Sequence, residues 1–334
     1  MEKNWNGLPY FTIGDFYRQK FGGKVFKIPV SVVDDCPNRM GLKGMKTCVF
    51  CDEWGSAANS DSFSMGLEEQ IQVYQEKIGK KYNSQNFLVY FQAYTNTFQK
   101  LSVLRENFET ALRFPFVRGL VIGTRPDCLS KAVLDMWNEV SQKTYLSVEM
   151  GVQSFFDQDL EFMQRGHTRA QALQGLLRVA KEAPHVDLGI HLIFGWPQET
   201  TQQIIESAEI VNSLPVRHVK LHHLHVLKKT ELEKIYADGQ CPVMTREEYA
   251  EKVRIFLQHL SPKIYVQRLA AYSSRWDELI APDWTADKMG THQAIIDHLR
   301  HHKSYQSQNY FCSNQDEKIK QEQLAFQSKP RLKS

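Results

Sequence analysis

Cys36, Cys48 and Cys51 fall within one short stretch; eleven residues separate the first two and two separate the last pair. Thiolates are the ligands of iron–sulfur clusters. A Cys-x-x-Cys turn brings two sulfurs close enough to hold adjacent irons. A third cysteine on the same loop leaves one iron of a [4Fe–4S] cluster without a protein ligand. The amino and carboxylate groups of S-adenosylmethionine (SAM) could chelate that open iron. One electron passed into the sulfonium would then break a C–S bond and release a 5′-deoxyadenosyl radical. Phe50, between the close cysteines, is placed to pack against adenine, and Gly41 and Gly44 give the loop the freedom to wrap a cluster. Two plainer readings compete. Structural zinc takes four ligands, commonly as two close pairs, and only one close pair is present. Unligated thiols are the other. Cys128, Cys241 and Cys312 stand singly and read as ordinary thiols.

Groups with such a task need a rigid frame. Apolar, β-branched runs at 25–33, 87–91, 119–123, 145–150, 186–194 and 216–224 read as strands. Segments 66–82, 101–112, 131–142, 169–182 and 200–213 carry helical spacing of apolar residues between them. The alternation predicts an α/β fold, with right-handed crossovers curling a parallel sheet into a partial (βα)6 TIM-type barrel. After 224 the pattern changes. A short helix at 230–237 and a longer one from Thr245 to about 260, with Glu248 as capping-box partner, precede a strand-like stretch at 264–269. The expected organisation is an N-terminal segment 1–20, a barrel 21–240, a small C-terminal extension 241–303 closing the barrel side, and a mobile tail 304–334 rich in Gln, Lys and Ser.

Functional groups gather at the C-terminal ends of strands in such barrels, and the unusual polar sequences lie there. The cysteine loop follows the first strand. Gln92, Tyr94, Thr95, Asn96 and Thr97 follow the second, and Arg125 and Asp127 the third. Glu149 and Gln153 close the fourth, His191 lies in the fifth, and His222, His223 and His225 end the sixth. Glu149 and Gln153 either bond SAM or tie neighbouring loops together. Arg165 is either a carboxylate partner or a solvated loop residue, and Arg125 either faces the pocket or pairs with Asp127. Alternation sends His223 and His225 to one face of the strand and His222 to the other, so at least one of the three is core.

The 334 residues are 42% hydrophobic and 24% charged with a formal net charge of +3, which excludes extensive disorder and argues neither for nor against nucleic acid. No apolar run approaches the length of a membrane span and the N-terminus lacks a signal-peptide layout, so a cytoplasmic location with no membrane partner is expected.

From about residue 21 to 284 the chain resembles the Elp3-type branch of radical SAM proteins, in a bacterial subfamily without the acetyltransferase domain. The carrying text is Phe21-Gly22-Gly23-Lys24-Val25, Cys36-Pro37-Asn38-Arg39, the run from Tyr90 to Thr97, Gly123-Thr124-Arg125-Pro126-Asp127, Gly151-Val152-Gln153-Ser154, Arg165-Gly166-His167 and Lys220-Leu221-His222. The resemblance implies a partial radical SAM barrel, a [4Fe–4S] cluster on Cys36, Cys48 and Cys51, and SAM across the strand ends. It puts Gln92 to Thr97 where many relatives carry a Gly-Gly-Glu motif for the SAM amino group; without that motif, backbone and Asn or Thr groups would serve. Gln153 and Arg165 match SAM-binding positions of related enzymes, and His191 falls where those carry an aspartate. Asp34 and Asp35 replace glycines usual before the first cysteine.

By the same resemblance the protein modifies tRNA, converting the carboxymethylaminomethyl group of the wobble uridine to aminomethyl, with an external electron donor and a partner methyltransferase acting afterwards. Lys and Arg residues of the tail and of 246–254 could meet phosphates, or simply face solvent. Two alternatives are a radical SAM enzyme acting on a small metabolite and a non-catalytic iron–sulfur regulatory protein. Tyr94 and the free cysteines are able to return a hydrogen atom to a product radical.

Overall fold

Strands buried on both faces read as unbroken apolar runs, and those of this chain join into one parallel sheet. A computed structural model describes residues 6–55, 60–273 and 275–310. In chain order the elements are α1 (Ile13–Phe21), β1 (Phe26–Val30), α2 (Leu67–Tyr82), β2 (Phe87–Phe91), α3 (Leu101–Leu112), β3 (Val117–Thr124), α4 (Lys131–Lys143), β4 (Tyr145–Gln153), α5 (Asp157–Phe162), α6 (Arg169–Glu182), β5 (Asp187–Phe194) and α7 (Thr201–Ser213). Then come β6 (His218–His223), β7 (Val226–Leu227), α8 (Glu231–Ala237), α9 (Arg246–His259), β8 (Tyr265–Arg268), β9 (Leu279–Ala281) and α10 (Lys288–His301). The expected α/β partial barrel is present, with seven strands rather than six, in the order β1-β2-β3-β4-β5-β6-β8. The stretch expected to belong to a separate extension supplies the seventh: α9 carries the chain back over the sheet, and β8 pairs parallel with β6. β7 and β9 form a small antiparallel ribbon outside it.

Alternation along the strands sorts side chains into two environments. Ile28, Val89, Leu120, Ile122, Val148, Met150, Ile190, Leu192, Val219 and Leu221 point outward into the main core beneath the helices. Threonine N-caps start α6, α7 and α9, each completed as a capping box by Gln171, Gln203 and Glu248. β1 stops at Val30, short of the expected 33, because the Gln70 side chain takes over the strand's backbone pairing: Ser31 N–H donates to Gln70 Oε1 at 2.8 Å and Gln70 Nε2 donates to Ser31 O at 2.9 Å.

Two features differ from expectation at the termini. Segment 1–20 contains most of α1, capped by Thr12 with Asp15. Its Ile13, Phe16, Tyr17 and Phe21 pack with Val25, Leu88, Tyr90, Val121 and Tyr145, so the helix plugs the floor of the barrel. At the other end, residues 304–310 dock rather than start a tail. Gln306 is fully buried, accepts from Phe11 N–H at 2.9 Å and donates to Ser261 O and Ile264 O at 2.8 Å each. Residues 311–334, with Cys312 and the rest of the expected tail, lie outside the described residues. Among the described residues no helix is long and apolar enough to cross a membrane.

Candidate functional site

Above the apolar floor the barrel interior turns polar, because each inward position on the sheet alternates with an apolar outward one. Ser147 and Glu149 on β4, His191 on β5, and His218, Lys220 and His222 on β6 fill it, joined by Lys27 from β1 and by Gln267 and Arg268 from β8. Over these groups opens a cavity of about 760 Å³, bounded across the mouth by the cysteine loop, the strand ends and the stretch from Leu269 to α10.

The cysteine loop is fixed from three sides. Asn38 Nδ2 donates to Lys46 O and Gln164 O, Val49 N–H donates to Met163 O at 3.0 Å, and Leu232 N–H to Val49 O at 2.8 Å. Arg275, from the segment before β9, pairs with Asp52, while Arg39 donates to Asp52 O at 2.9 Å. Cys36, Cys48 and Cys51 all line the cavity. Three thiolates on one loop can each meet a different iron of a cluster and leave the fourth iron open to the cavity. Burial, reinforced by Cys48, pushes the Cys51 thiol up to about 12, so its ionisation waits on a cation. Cys241 is buried in a separate apolar cluster and Cys128 sits beside Asp127, so neither supplies a fourth ligand.

The strand-end residues divide. Phe50, Gln92, Tyr94, Thr95, Arg125, Glu149, Gln153, Arg165 and His191 all line the cavity. Asn96 and Thr97, expected beside them, do not. Asn96 is fully buried and its Nδ2 donates to Phe91 O, Ala93 O and Gly123 O, stitching the ends of β2 and β3 together; Thr97 bonds the Thr124 hydroxyl. Asn96→Ala is therefore expected to destabilise the fold by about 2 kcal/mol, because buried carbonyls lose their donor. Chemical denaturation measures it, and a wild-type midpoint would mean that water replaces the amide. Phe50 also packs on Trp196, with ring centroids 6.0 Å apart. The Tyr94 hydroxyl donates to Glu53 O at 2.6 Å, tying that residue to the cysteine loop.

Arg165 is not a solvated loop residue. Its Nη2 donates to Gly151 O at 2.8 Å, its Nη1 lies 3.5 Å from Cys48 Sγ, and its buried Nε has no partner. A Cβ on Gly151 would stand 2.8 Å from Arg165 Nη2, so glycine is what admits the guanidinium. Arg125 does pair with Asp127, through contacts of 2.9 and 2.7 Å, yet lines the cavity and keeps a buried Nη1 without a partner. His222, His223 and His225 all line the cavity: His222 accepts from Arg268 Nη2 at 2.8 Å on Nδ1, and His223 packs on Trp284 with its Nε2 2.8 Å from Thr285 Oγ1.

Glu149 is wholly buried and meets Lys27, Lys220 at 3.3 Å and the ring N–H of His191 at 2.8 Å. Burial would raise its pKa, but Lys220 and Lys27 more than offset that and hold the carboxyl well below its usual range. Burial brings Lys220 down to about 7 and His191 down to about 4. Sequence reasoning assigned no role to Lys27, Lys220, Gln267 or Arg268. The available signal was a single charged residue inside an apolar run, as in Phe26-Lys27-Ile28 and Val219-Lys220-Leu221. The segment 246–254 forms no basic face, since Arg254 pairs with Glu251 and Arg246 lies near Glu247 and Asp287.

Comparison with known proteins adds four likenesses. A family model described as the radical SAM C-terminal domain matches residues 216–301. The chain is 32% identical over 297 residues to YtqA of Bacillus subtilis, a protein described as uncharacterized, covering 89% of this chain and 91% of that one. It is 31% identical over 124 residues to a tRNA-2-methylthio-N(6)-dimethylallyladenosine synthase of Thermotoga petrophila, covering 36% of this chain and 26% of that one. Among solved structures, archaeal Elp3 of Methanocaldococcus infernus superposes with a TM-score of 0.63 at 14% identity, covering 84% of this chain and 64% of that chain. The last is a likeness of fold.

Proposed function

The chain belongs to the radical SAM superfamily, and on that premise we propose that it is a radical SAM enzyme whose cluster is held by Cys36, Cys48 and Cys51 and whose substrate is tRNA. The observation that carries the first part is three thiols of one loop lining one cavity, with Arg165 Nη1 3.5 Å from Cys48 Sγ and no fourth cysteine on the cavity wall among the described residues. When bound, the cluster and SAM supply a 5′-deoxyadenosyl radical by one-electron cleavage of a sulfonium C–S bond.

The chain's own groups do the rest. Gln92, Thr95, Gln153 and Arg165 hold SAM across the strand ends, Arg165 offering its unpartnered Nε to a carboxylate. Phe50 gives the adenine an apolar wall. The floor formed by α1 and the segment from Leu269 to Ser273 keep bulk water from the interior. Glu149, fixed by two lysines and His191, keeps the interior in one arrangement.

Three features support tRNA. The chain resembles tRNA-modifying proteins in its motifs and, over about a third of its length, one such synthase. Large apolar side chains stand exposed near the mouth: Trp276 is 71% exposed and Met289 75%, with Tyr272 beside Lys288. Nucleobases splayed out of an RNA loop stack on such rings. The expected reaction is conversion of the wobble carboxymethylaminomethyl group to aminomethyl, followed by a partner methyltransferase and supplied by an external electron donor. A small metabolite is the second reading, favoured by the depth of the cavity.

The test is mass spectrometry of nucleosides from bulk tRNA of a strain lacking the gene and its parent. Accumulation of the carboxymethylaminomethyl form with loss of aminomethyl products is expected. An unchanged profile removes this substrate and leaves the metabolite reading.

A further inference from the structure

Charge inside the barrel does not balance. Lys27, Lys220 and Arg268 project into one small volume, and Glu149 is the single carboxylate lining that end of the cavity. Asp52, the other acid on the cavity wall, is held by Arg275 on the cysteine loop. Lys220 is 12% exposed and Glu149 not at all, so these charges are largely out of bulk water. Glu149 already serves Lys27 and Lys220. Arg268 has no carboxylate: its Nη2 donates to His222, which accepts as a neutral ring, and its Nε is buried without a partner. An unmatched buried cation is costly, and proteins rarely retain one without a counter-charge.

We propose that this blind end of the cavity is a binding site for a carboxylate carried by the substrate, gripped by the Arg268 guanidinium and the Lys220 ammonium. The inference rests on reading the cavity as a reaction chamber, though not on tRNA as the substrate. A planar fork beside a point charge is the recognition chemistry of oxyanions. The position narrows the choice. α1 seals the floor, so only a terminal group on a slender arm reaches Arg268. A phosphate within a nucleic-acid backbone, with chain on both sides, does not. Neutral His191 and His222 flank the pair, Gln267 adds a polar wall, and Tyr90 lies 3.3 Å from Lys220 Nζ.

Thermal unfolding of the anaerobically reconstituted full chain tests the site, with acetate, inorganic phosphate and acetamide as probes. Acetate at saturation is expected to raise Tm by about 3 °C, acetamide to leave it unchanged, and phosphate to act more weakly than acetate. Arg268→Gln and Lys220→Met should each abolish the acetate shift; Arg268→Gln should do so without lowering the anion-free Tm, since Arg268 has no carboxylate partner, whereas Lys220→Met takes an ion-pair partner from Glu149 and lowers it. SAM binding should stay within about twofold of wild type by the same general linkage logic. Equal responses to acetate and acetamide, or an acetate shift that survives Arg268→Gln, would overturn the site. A preference for phosphate would assign it to a phosphate ester instead and overturn the carboxylate. Parallel loss of SAM binding in both variants would make SAM the occupant. A lower anion-free Tm in both would make the cations structural partners of Glu149. Because acetate is independent of RNA, an unaltered tRNA profile with the acetate result intact would fail the tRNA reading and leave the site standing.

Discussion

Cys48→Ala is expected to leave the purified, anaerobically reconstituted protein with almost no iron and no SAM cleavage. Two remaining thiols cannot hold a cubane whose fourth corner is already without a protein ligand. Cys48 is also the thiol that Arg165 Nη1 approaches at 3.5 Å, so its loss frees the guanidinium as well. Iron and sulfide analysis with the visible spectrum of the cluster gives the direct measure. Cys128→Ala provides the control, because Cys128 lies away from the cavity wall and should keep full iron. Wild-type iron content in Cys48→Ala would sink the ligand assignment, and with it the enzyme reading. Full iron with no SAM cleavage in the wild-type protein would favour the regulatory alternative.

The second large effect lies in the fold itself. Glu149→Gln keeps the shape of the side chain and deletes the one charge that Lys27 and Lys220 share. Leaving buried cations unmatched costs about 3–5 kcal/mol, which chemical denaturation resolves easily. The Glu149→Gln, Lys220→Met double variant should recover part of the loss, as coupled neighbours do. The pH dependence has a fixed sign. A carboxyl whose folded pKa lies below its unfolded value contributes stability in full above the unfolded value, about 4.3 for glutamate, and loses it as pH falls through the folded one. Glu149 is such a group. The gap between wild type and Glu149→Gln should therefore be largest between about pH 5 and 6.5, narrow as pH rises through about 7 and Lys220 gives up its charge, and close in acid as Glu149 is protonated. A gap that widens above about pH 7 would mean that Lys220 is not the cation left unmatched.

Much of this was legible in the chain because the informative residues are local. The cysteine spacing is set within one loop, and the strand-end polar groups interrupt apolar runs where a barrel would need them. The capping box of α9 was readable from Thr245 and Glu248 alone. What escaped depends on distant partners. Lys27 finds Glu149 across 122 residues of sequence, and a lysine alone in a strand does not announce which side of the sheet it faces. β8 resembled part of an appendage because nothing local says that α9 is a crossover. Asn96 stood in a run of polar residues that looked like ligands, whereas its amide is consumed by three backbone carbonyls. α1 carried its signals, Thr12 with Asp15 and apolar residues at 13, 16, 17 and 21, but a short amphipathic stretch before the first strand reads equally as a loose segment.

The plugged floor has a consequence for the order of events. With α1 filling one end of the barrel, nothing passes through that end, and the interior is reached from the side where the cysteine loop, the strand ends and α10 lie. Whatever sits deepest must arrive before the mouth is covered and can depart only after it is uncovered. A reactive species formed inside has no rear exit along which to be lost or quenched. Access by sequence of arrival, rather than by competing doorways, is thus written into the place where nine residues of helix happen to lie.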